Sequence, residues 1–218
     1  MKTREVHSCP DAADDSNSPP EVFHRRVLER RSLRAFAPRA VAPGVLRALF
    51  EAARWAPSSV NEQPWRFIVA TRAEPEPFAR LLATLHPGNA AWAAAAPVLA
   101  ISIARLEFER NGRPNRHAFH DVGLATAQLG LQAAVLGLGV HLMGGFDRDR
   151  ARATLDIPAV FDPVAAIALG YPGDPDTLPE PWRERERAVR TRRPLAESVF
   201  GGRWGEPATA ITAAEPAT

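Results

Sequence analysis

Residues 117–137 most constrain how this chain folds. Their apolar side chains run nearly all round a helical wheel, which predicts a long helix buried on most sides. Gly123, Ala125, Ala127, Gly130 and Ala133 are small enough to let another helix approach closely. Such a helix needs layers around it, and the flanking segments supply them. Residues 98–103 are an unbroken apolar run, as expected of a strand covered on both faces. Residues 66–71 are rich in β-branched and aromatic side chains and predict a second strand. Residues 140–143 and 164–169 predict two more, with Asp147 capping a helix between them.

Prolines punctuate the helices. Ser18-Pro19-Pro20 is placed to start a helix with Val22, Phe23, Val27 and Leu28 on one side. Pro43 opens another, with Leu46, Leu49, Phe50 and Ala53 on its apolar face, and Pro57 ends it. Pro75 and Pro77 begin a third, carrying Phe78, Leu81, Leu82 and Leu85. Gly137-Leu138-Gly139 lacks the third glycine of a dinucleotide fingerprint and precedes a strand instead of following one, so it reads as a helix C-cap. Helices first, then strands mixed with helices, argue for α+β or α/β around one central sheet. A chain of 218 residues that is 45% hydrophobic fits one domain with a real core.

Several classes are disfavoured. No run approaches the roughly 20 apolar residues of a membrane helix; the nearest, residues 90–103, is short and broken by Pro97. Residues 1–20 carry Asp11, Asp14 and Asp15 and lack the apolar core of a signal peptide. The single cysteine, Cys9, sits in that tail and reads as an incidental thiol. Together these predict a cytoplasmic protein. The pI of about 9.3 overstates the basicity of the surface, because the formal charge is only +2 and a lone lysine and tyrosine leave little to titrate above neutrality. No basic stripe interleaved with aromatics points to nucleic acid.

The chemistry concentrates in short segments. Arg30-Arg31-Ser32-Leu33-Arg34 puts three guanidinium groups and a hydroxyl within five residues. Residues 56–65 (Ala-Pro-Ser-Ser-Val-Asn-Glu-Gln-Pro-Trp) form a polar loop closed by prolines and an aromatic ring. Arg190-Thr191-Arg192-Arg193 adds a third basic cluster. Guanidinium forks suit a phosphate dianion, and small hydroxyl and amide side chains suit the edge of a heteroaromatic ring. Leu142-Met143-Gly144-Gly145 allows backbone to approach a flat ligand. Each segment also has a plainer reading: a solvated basic patch, a helix stop, a strand-to-helix turn. A nucleophilic Ser58 or Ser59 is disfavoured, since neither lies in a Gly-x-Ser-x-Gly elbow. His117, His120 and Asp121 have spacing compatible with a metal but no further ligand nearby, so no metal site is assigned. His141 and Trp65 read as packed core residues.

These segments resemble the nitroreductase family of FMN-dependent oxidoreductases. The resemblance rests on Arg-Arg-Ser-x-Arg-x-Phe from Arg30, on residues 52–65, on 121–125, 136–139 and 144–146, and on Arg192-Arg193-Pro194-Leu195. It implies an α+β, three-layer α-β-α sandwich with a central mixed sheet, assembled as an intertwined homodimer. The implied organisation is a disordered tail over 1–20, one FMN-binding domain over 21–204 whose extension from about residue 172 wraps the partner, and a disordered tail over 205–218.

By the same resemblance, Arg30, Arg31, Ser32 and Arg34 hold the FMN phosphate and pyrimidine, with Arg34 near N1 and O2. Pro57, Ser58 and Ser59 come from the second subunit to cover the flavin, and Asn61 and Gln63 either hydrogen-bond the flavin or brace the loop. Leu142, Met143, Gly144 and Gly145 present backbone near N5, and Arg192 and Arg193 reach the phosphate. Gly144 stands where several members carry an acidic residue. Asn89 and Trp92 are further candidates for the substrate face. The implied activity is hydride transfer from NAD(P)H through flavin N5 to a flat acceptor such as a nitroaromatic or quinone, by a ping-pong mechanism in which no side chain supplies the chemistry and Arg34 and Gly144 tune the flavin. The alternatives are other flavin chemistry on this scaffold, either reductive dehalogenation or oxidation of a biosynthetic intermediate, and a non-catalytic flavin-binding protein.

Overall fold

The computed structural model describes residues 23–212. Cys9 and the tail over 1–20 lie outside them. The chain divides into two contact units, His24–Ala188 and a second that includes Val189–Thr218.

The first unit is built on four strands: β1 (Trp65–Thr71), β2 (Val98–Arg105), β3 (Gly139–Met143) and β4 (Phe161–Gly170). Their order is β1-β2-β4-β3, and every neighbouring pair is antiparallel. The α+β class and the layered architecture match the sequence expectation, but the described strands form an antiparallel sheet rather than a mixed one. Each adjacent pair runs in opposite directions because the helical connections return the chain beside its neighbour reversed.

Period-two alternation explains why the sheet is covered on both faces. On β2, Leu99, Ile101 and Ile103 enter one core, whereas Val98, Ala100 and Ala104 enter the other. On β4, Ala166 and Ala168 take the first side, Ile167 and Leu169 the second. The first core is closed by α3 (Pro75–Ala83), α4 (Pro87–Ala93) and α6 (Arg148–Thr154) through Phe78, Leu81, Trp92 and Ala151. The second is closed by α2 (Pro43–Arg54) and α5 (Ala118–Val135) through Leu49, Ala53, Val122 and Leu129.

Local signals act where expected. Pro43 and Pro75 stand in the first turns of α2 and α3. The Asp147 carboxylate accepts from the Arg150 N–H as the N-cap of α6. Gly137 takes φ +74, and Leu138 N–H donates to Ala133 O at 2.8 Å, a Schellman-type end to α5. No helix of the described residues is long and apolar enough to cross a membrane.

Two expectations change. The first helix, α1, is only Arg25–Glu29 and buries nothing; Val27 and Leu28 are each 42% exposed. One turn is too short to present the two-turn apolar face that the sequence pattern implied. Helix α5 buries nine residues, yet one line of it is open: Phe119, Gly123, Ala127, Leu131 and Val135 face outward at a spacing of four.

Residues after 172 stay with the first unit as far as Ala188, including α7 (Trp182–Arg187) with Trp182 packed on the core. The second unit contains a 3-10 turn at Leu195–Glu197, a Phe200–Pro207 bridge, a Phe200–Trp204 ring pair at 4.9 Å and α8 (Thr209–Thr212). Leu129 is fully buried in the second core. We expect Leu129→Ala to lower unfolding stability by about 3 kcal/mol, measured by urea denaturation.

Candidate functional site

The arginine segment crosses the free edge of β3. At one end Arg30 lies over Gly130 of α5, where an added Cβ would stand 3.8 Å from Arg30 Cδ. At the other, Leu33 fills the space above Gly139 so closely that a Cβ there would overlap it. His141 of β3 donates from Nδ1 to Leu33 O at 3.0 Å; a carbonyl only accepts, so the neutral ring carries its proton on Nδ1. Ala35 and Phe36 then enter the first core.

A carboxylate fixes this path. Glu186 of α7 is buried, and the Arg34 N–H donates to both its oxygens at 3.0 Å while the Ala35 N–H donates at 3.3 Å. Arg31 Nη2 donates to Glu186 O at 3.3 Å and Ala188 O at 3.1 Å. The Arg34 guanidinium lies 3.8 Å from Glu186 Oε2, with Cζ 5.9 Å from the Trp92 ring and 5.5 Å from the Trp182 ring. Burial pushes the Arg34 pKa below its ordinary value, and Glu186 opposes that shift. No sequence signal singles out Glu186, which sits among alternating charges in Trp-Arg-Glu-Arg-Glu-Arg with no apolar periodicity around it. Arg34 thus has a packing role beyond the one its motif implies.

His141 is held neutral. Burial first, then the nearby Arg34 charge, push its pKa down to about 4 against the raising effect of its backbone hydrogen bonds. Its ring lies 4.6 Å from that of Trp92.

Just beyond His141, β3 opens to solvent. Leu142 is 43% exposed, and nothing lies within 4 Å of a Cβ placed on Gly144. Gly145 is closed from behind by Asn89, whose Nδ2 donates to Gly145 O at 3.0 Å. The Met143 side chain is buried in the first core, so only its backbone is left to meet anything outside. Trp92 is 1% exposed and belongs to the core rather than to an open substrate face.

The 57–63 loop is separately anchored. Val60, Asn61 and Gln63 take φ of 49, 57 and 51, the left-handed region that side chains avoid. Ser59 N–H donates to Asp121 Oδ2 at 3.0 Å, and Gln63 N–H donates to Ser58 Oγ at 2.9 Å. Asp121, 2% exposed in the first turn of α5, also meets His120 Nδ1 at 3.1 Å. This shows Asp121 to be a loop anchor, a role its motif did not reveal. Among the described residues, no group of three or more His, Cys, Asp or Glu could hold a metal. Pro57 and Asn61 are exposed.

Along α5, the nine steps from Asp121 to Gly130 correspond to about 13.5 Å of helix. The structure therefore brings Arg30, Arg31, Ser32 and Arg34 together with Leu142, Met143, Gly144 and Gly145 around β3, and places Pro57, Ser58, Ser59 and Asn61 at the other end of α5. Arg192 and Arg193 lie in the second contact unit. There Arg192 Nη1 donates to Thr191 O at 2.8 Å, and Arg193 is 89% exposed at 3.9 Å from Glu197.

Two outcomes follow from the Glu186 anchor and the neutral His141. Glu186→Ala should cost about 3 kcal/mol in urea unfolding, and Glu186→Gln less, because Gln keeps an acceptor for the Arg34 N–H. The His141 pKa is lower folded than unfolded, so its contribution is complete above the unfolded value and is lost as pH falls. The parent should lose up to about 3 kcal/mol between pH about 6.5 and about 4, and His141→Gln should lose correspondingly less, read from urea midpoints across that window.

Known proteins resemble this chain in sequence and fold. The Nitroreductase family model matches residues 27–171. An uncharacterized 15.4 kDa protein of Mycolicibacterium smegmatis is 38% identical over 65% of this chain and 99% of its own length. The NADH dehydrogenase of Thermus thermophilus is 34% identical, with 68% of this chain and 85% of that protein covered. A solved oxidoreductase containing FMN superposes with a TM-score of 0.81 at 35% identity, covering 89% of this chain and 99% of its own. With the arginine segment folded over β3 beside an open glycine, and with this match over most of its length, the chain belongs to the nitroreductase family.

Proposed function

We propose that this oxidoreductase binds FMN and uses NAD(P)H to reduce a flat acceptor, such as a nitroaromatic or a quinone, in two half-reactions that share one space. The observation that carries the reading is the open approach to Gly144 at the end of β3, beside the segment that presents Arg30, Arg31 and Ser32. The solved relative described as containing FMN supports it, as does the name of the Thermus thermophilus relative, which points to NADH. When bound, the flavin supplies a ring position that takes up and gives back a hydride.

The chain's own residues bind, orient and exclude water. Arg30 and the Ser32 hydroxyl hold phosphate and ring edge, and Arg31 contributes the donors not spent on Glu186 O and Ala188 O. Arg34, fixed between two indoles and Glu186, adds a positive field that favours the reduced, anionic state of the ring. Leu142 and Gly144 offer backbone to the ring face, with Met143 and Gly145 holding that backbone in place. Pro57, Ser58, Ser59 and Asn61 of a second copy close over the ring.

The homodimer has its own support. Phe119, Leu131 and Val135 are 46%, 36% and 50% exposed on an α5 stripe with no charge in it. A second copy on that stripe covers apolar surface that water otherwise meets. It also brings the loop from one α5 toward the arginine segment of the other, which the spacing along a single helix keeps apart.

Purified protein should be yellow, and anaerobic NADH or NADPH should bleach it, with nitrofurazone or menadione restoring the colour. Colourless protein that refuses added FMN overturns the flavin reading; bound flavin that neither nicotinamide reduces overturns the donor. Gly144→Val has room to fold as the parent does. Its flavin affinity should fall by about tenfold or more, equal to 1.4 kcal/mol. Leu131→Arg should turn a dimer into a monomer on sedimentation and release flavin with it.

A further inference from the structure

The residues that lead into α4 run beside the end of β3. Leu85 and Phe146 form an antiparallel bridge, with Asp147 N–H donating to Thr84 O at 2.8 Å and His86 N–H donating to Gly145 O at 3.1 Å. Leu85 and Phe146 are both buried in the first core. Alternation turns the next pair, His86 and Gly145, to the other face. There His86 is exposed, and a Cβ placed on Gly145 would stand 3.7 Å from its Nδ1. The imidazole thus lies against a position that has no side chain, next to the open Gly144.

Packing does not account for that ring. His86 is the N-cap of α4, yet its side chain makes no cap hydrogen bond, and the ring has no hydrogen bond or ion pair among the described residues. The other polar groups near the opening are engaged or keep their protons. Asn89 Nδ2 donates to Gly145 O at 3.0 Å. The Asp147 carboxylate accepts the Arg150 N–H at 2.9 Å and pairs with the Arg150 guanidinium at 3.7 Å. His141 gives its Nδ1 proton to Leu33 O, and burial first pushes its pKa down to about 4. The guanidinium groups of Arg30, Arg31 and Arg34 do not act as acids. A histidine side chain is the ordinary carrier of a transferable proton near neutrality, and at the Gly144 opening that side chain is His86.

Reduction of a quinone takes two electrons and two protons. We propose that the His86 imidazolium supplies the second proton, as a catalytic residue of the acceptor half-reaction; the inference rests on the flavin reading above. The acceptor receives a hydride, which is both electrons and the first proton, from the reduced, anionic flavin at one oxygen. The imidazolium N–H bond breaks, and its proton forms the O–H bond at the other oxygen. Hydroquinone leaves, the flavin is again oxidised and neutral, and the neutral imidazole regains its proton from water. One anion and one cation are consumed together, so charge balances. The open Gly144 leaves room for the acceptor beside His86, and Gly145 has no side chain to stand between them.

The test is stopped-flow reoxidation of holoprotein reduced with one equivalent of dithionite. It compares menadione, which needs the proton, with ferricyanide, which takes electrons alone. His86→Gln should lower the ratio of the menadione rate to the ferricyanide rate by about tenfold or more, and imidazole added to the buffer should restore part of it. A second readout involves no turnover. In oxidised holoprotein without nicotinamide, the His86 Cε1–H resonance, assigned by its loss in His86→Gln, should shift and saturate as menadione is added. Equal slowing with both acceptors gives His86 a structural role and overturns the proposal. So does an unchanged ratio, or a resonance that menadione leaves in place. Colourless protein that refuses FMN fails at the earlier step and removes the flavin reading together with this one, so the two failures are told apart by colour.

Discussion

One buried carboxylate determines the path of the segment on which the site depends. Glu186 takes the N–H groups of Arg34 and Ala35 and pairs with the Arg34 side chain, across 152 residues of sequence. A carboxylate that accepts several backbone donors is well compensated for its loss of water, whereas the same group without them would be strongly unfavourable. The anchor therefore does two things together. It holds the arginine segment across the edge of β3, and it places a guanidinium between Trp92 and Trp182 beside His141. The neutral state of His141 is a consequence, because burial and that neighbouring charge both resist its protonation.

Helix α5 sets the second constraint. Asp121 at its start holds the 57–63 loop, Gly130 in its middle makes room for Arg30, and its open stripe carries only apolar and small residues. The loop holds three residues in left-handed backbone, a conformation costing on the order of 1–3 kcal/mol at each non-glycine position. Hydrogen bonds that the Ser58 hydroxyl and the Asp121 carboxylate accept over-determine that shape. A strained loop and a charged segment are tied to one rigid helix at points about 13.5 Å apart along its axis.

Much of the fold was legible because its signals are local. The apolar run at 98–103 became the central strand β2, Pro43 and Pro75 started helices, Asp147 capped one and Gly137 stopped another. These residues act on their own backbone or through alternation, and tertiary contacts did not override them. The antiparallel sheet was not legible, since strand direction depends on where each connection returns. The open stripe on α5 was not legible either, because an apolar face reads the same whether it meets the chain's own core or a second copy.

The sequence by itself determined most of the elements, the layered class and the family, because helix stops, period-two runs and motif residues are written in neighbouring positions. Only the tertiary structure decided what the motif residues touch. It turned Arg34 inward onto Glu186 and two indoles, spent part of Arg31 on carbonyls, buried Met143 and Trp92, and left Gly144 open. Those outcomes depend on desolvation and on partners up to 157 residues away, which no local pattern records.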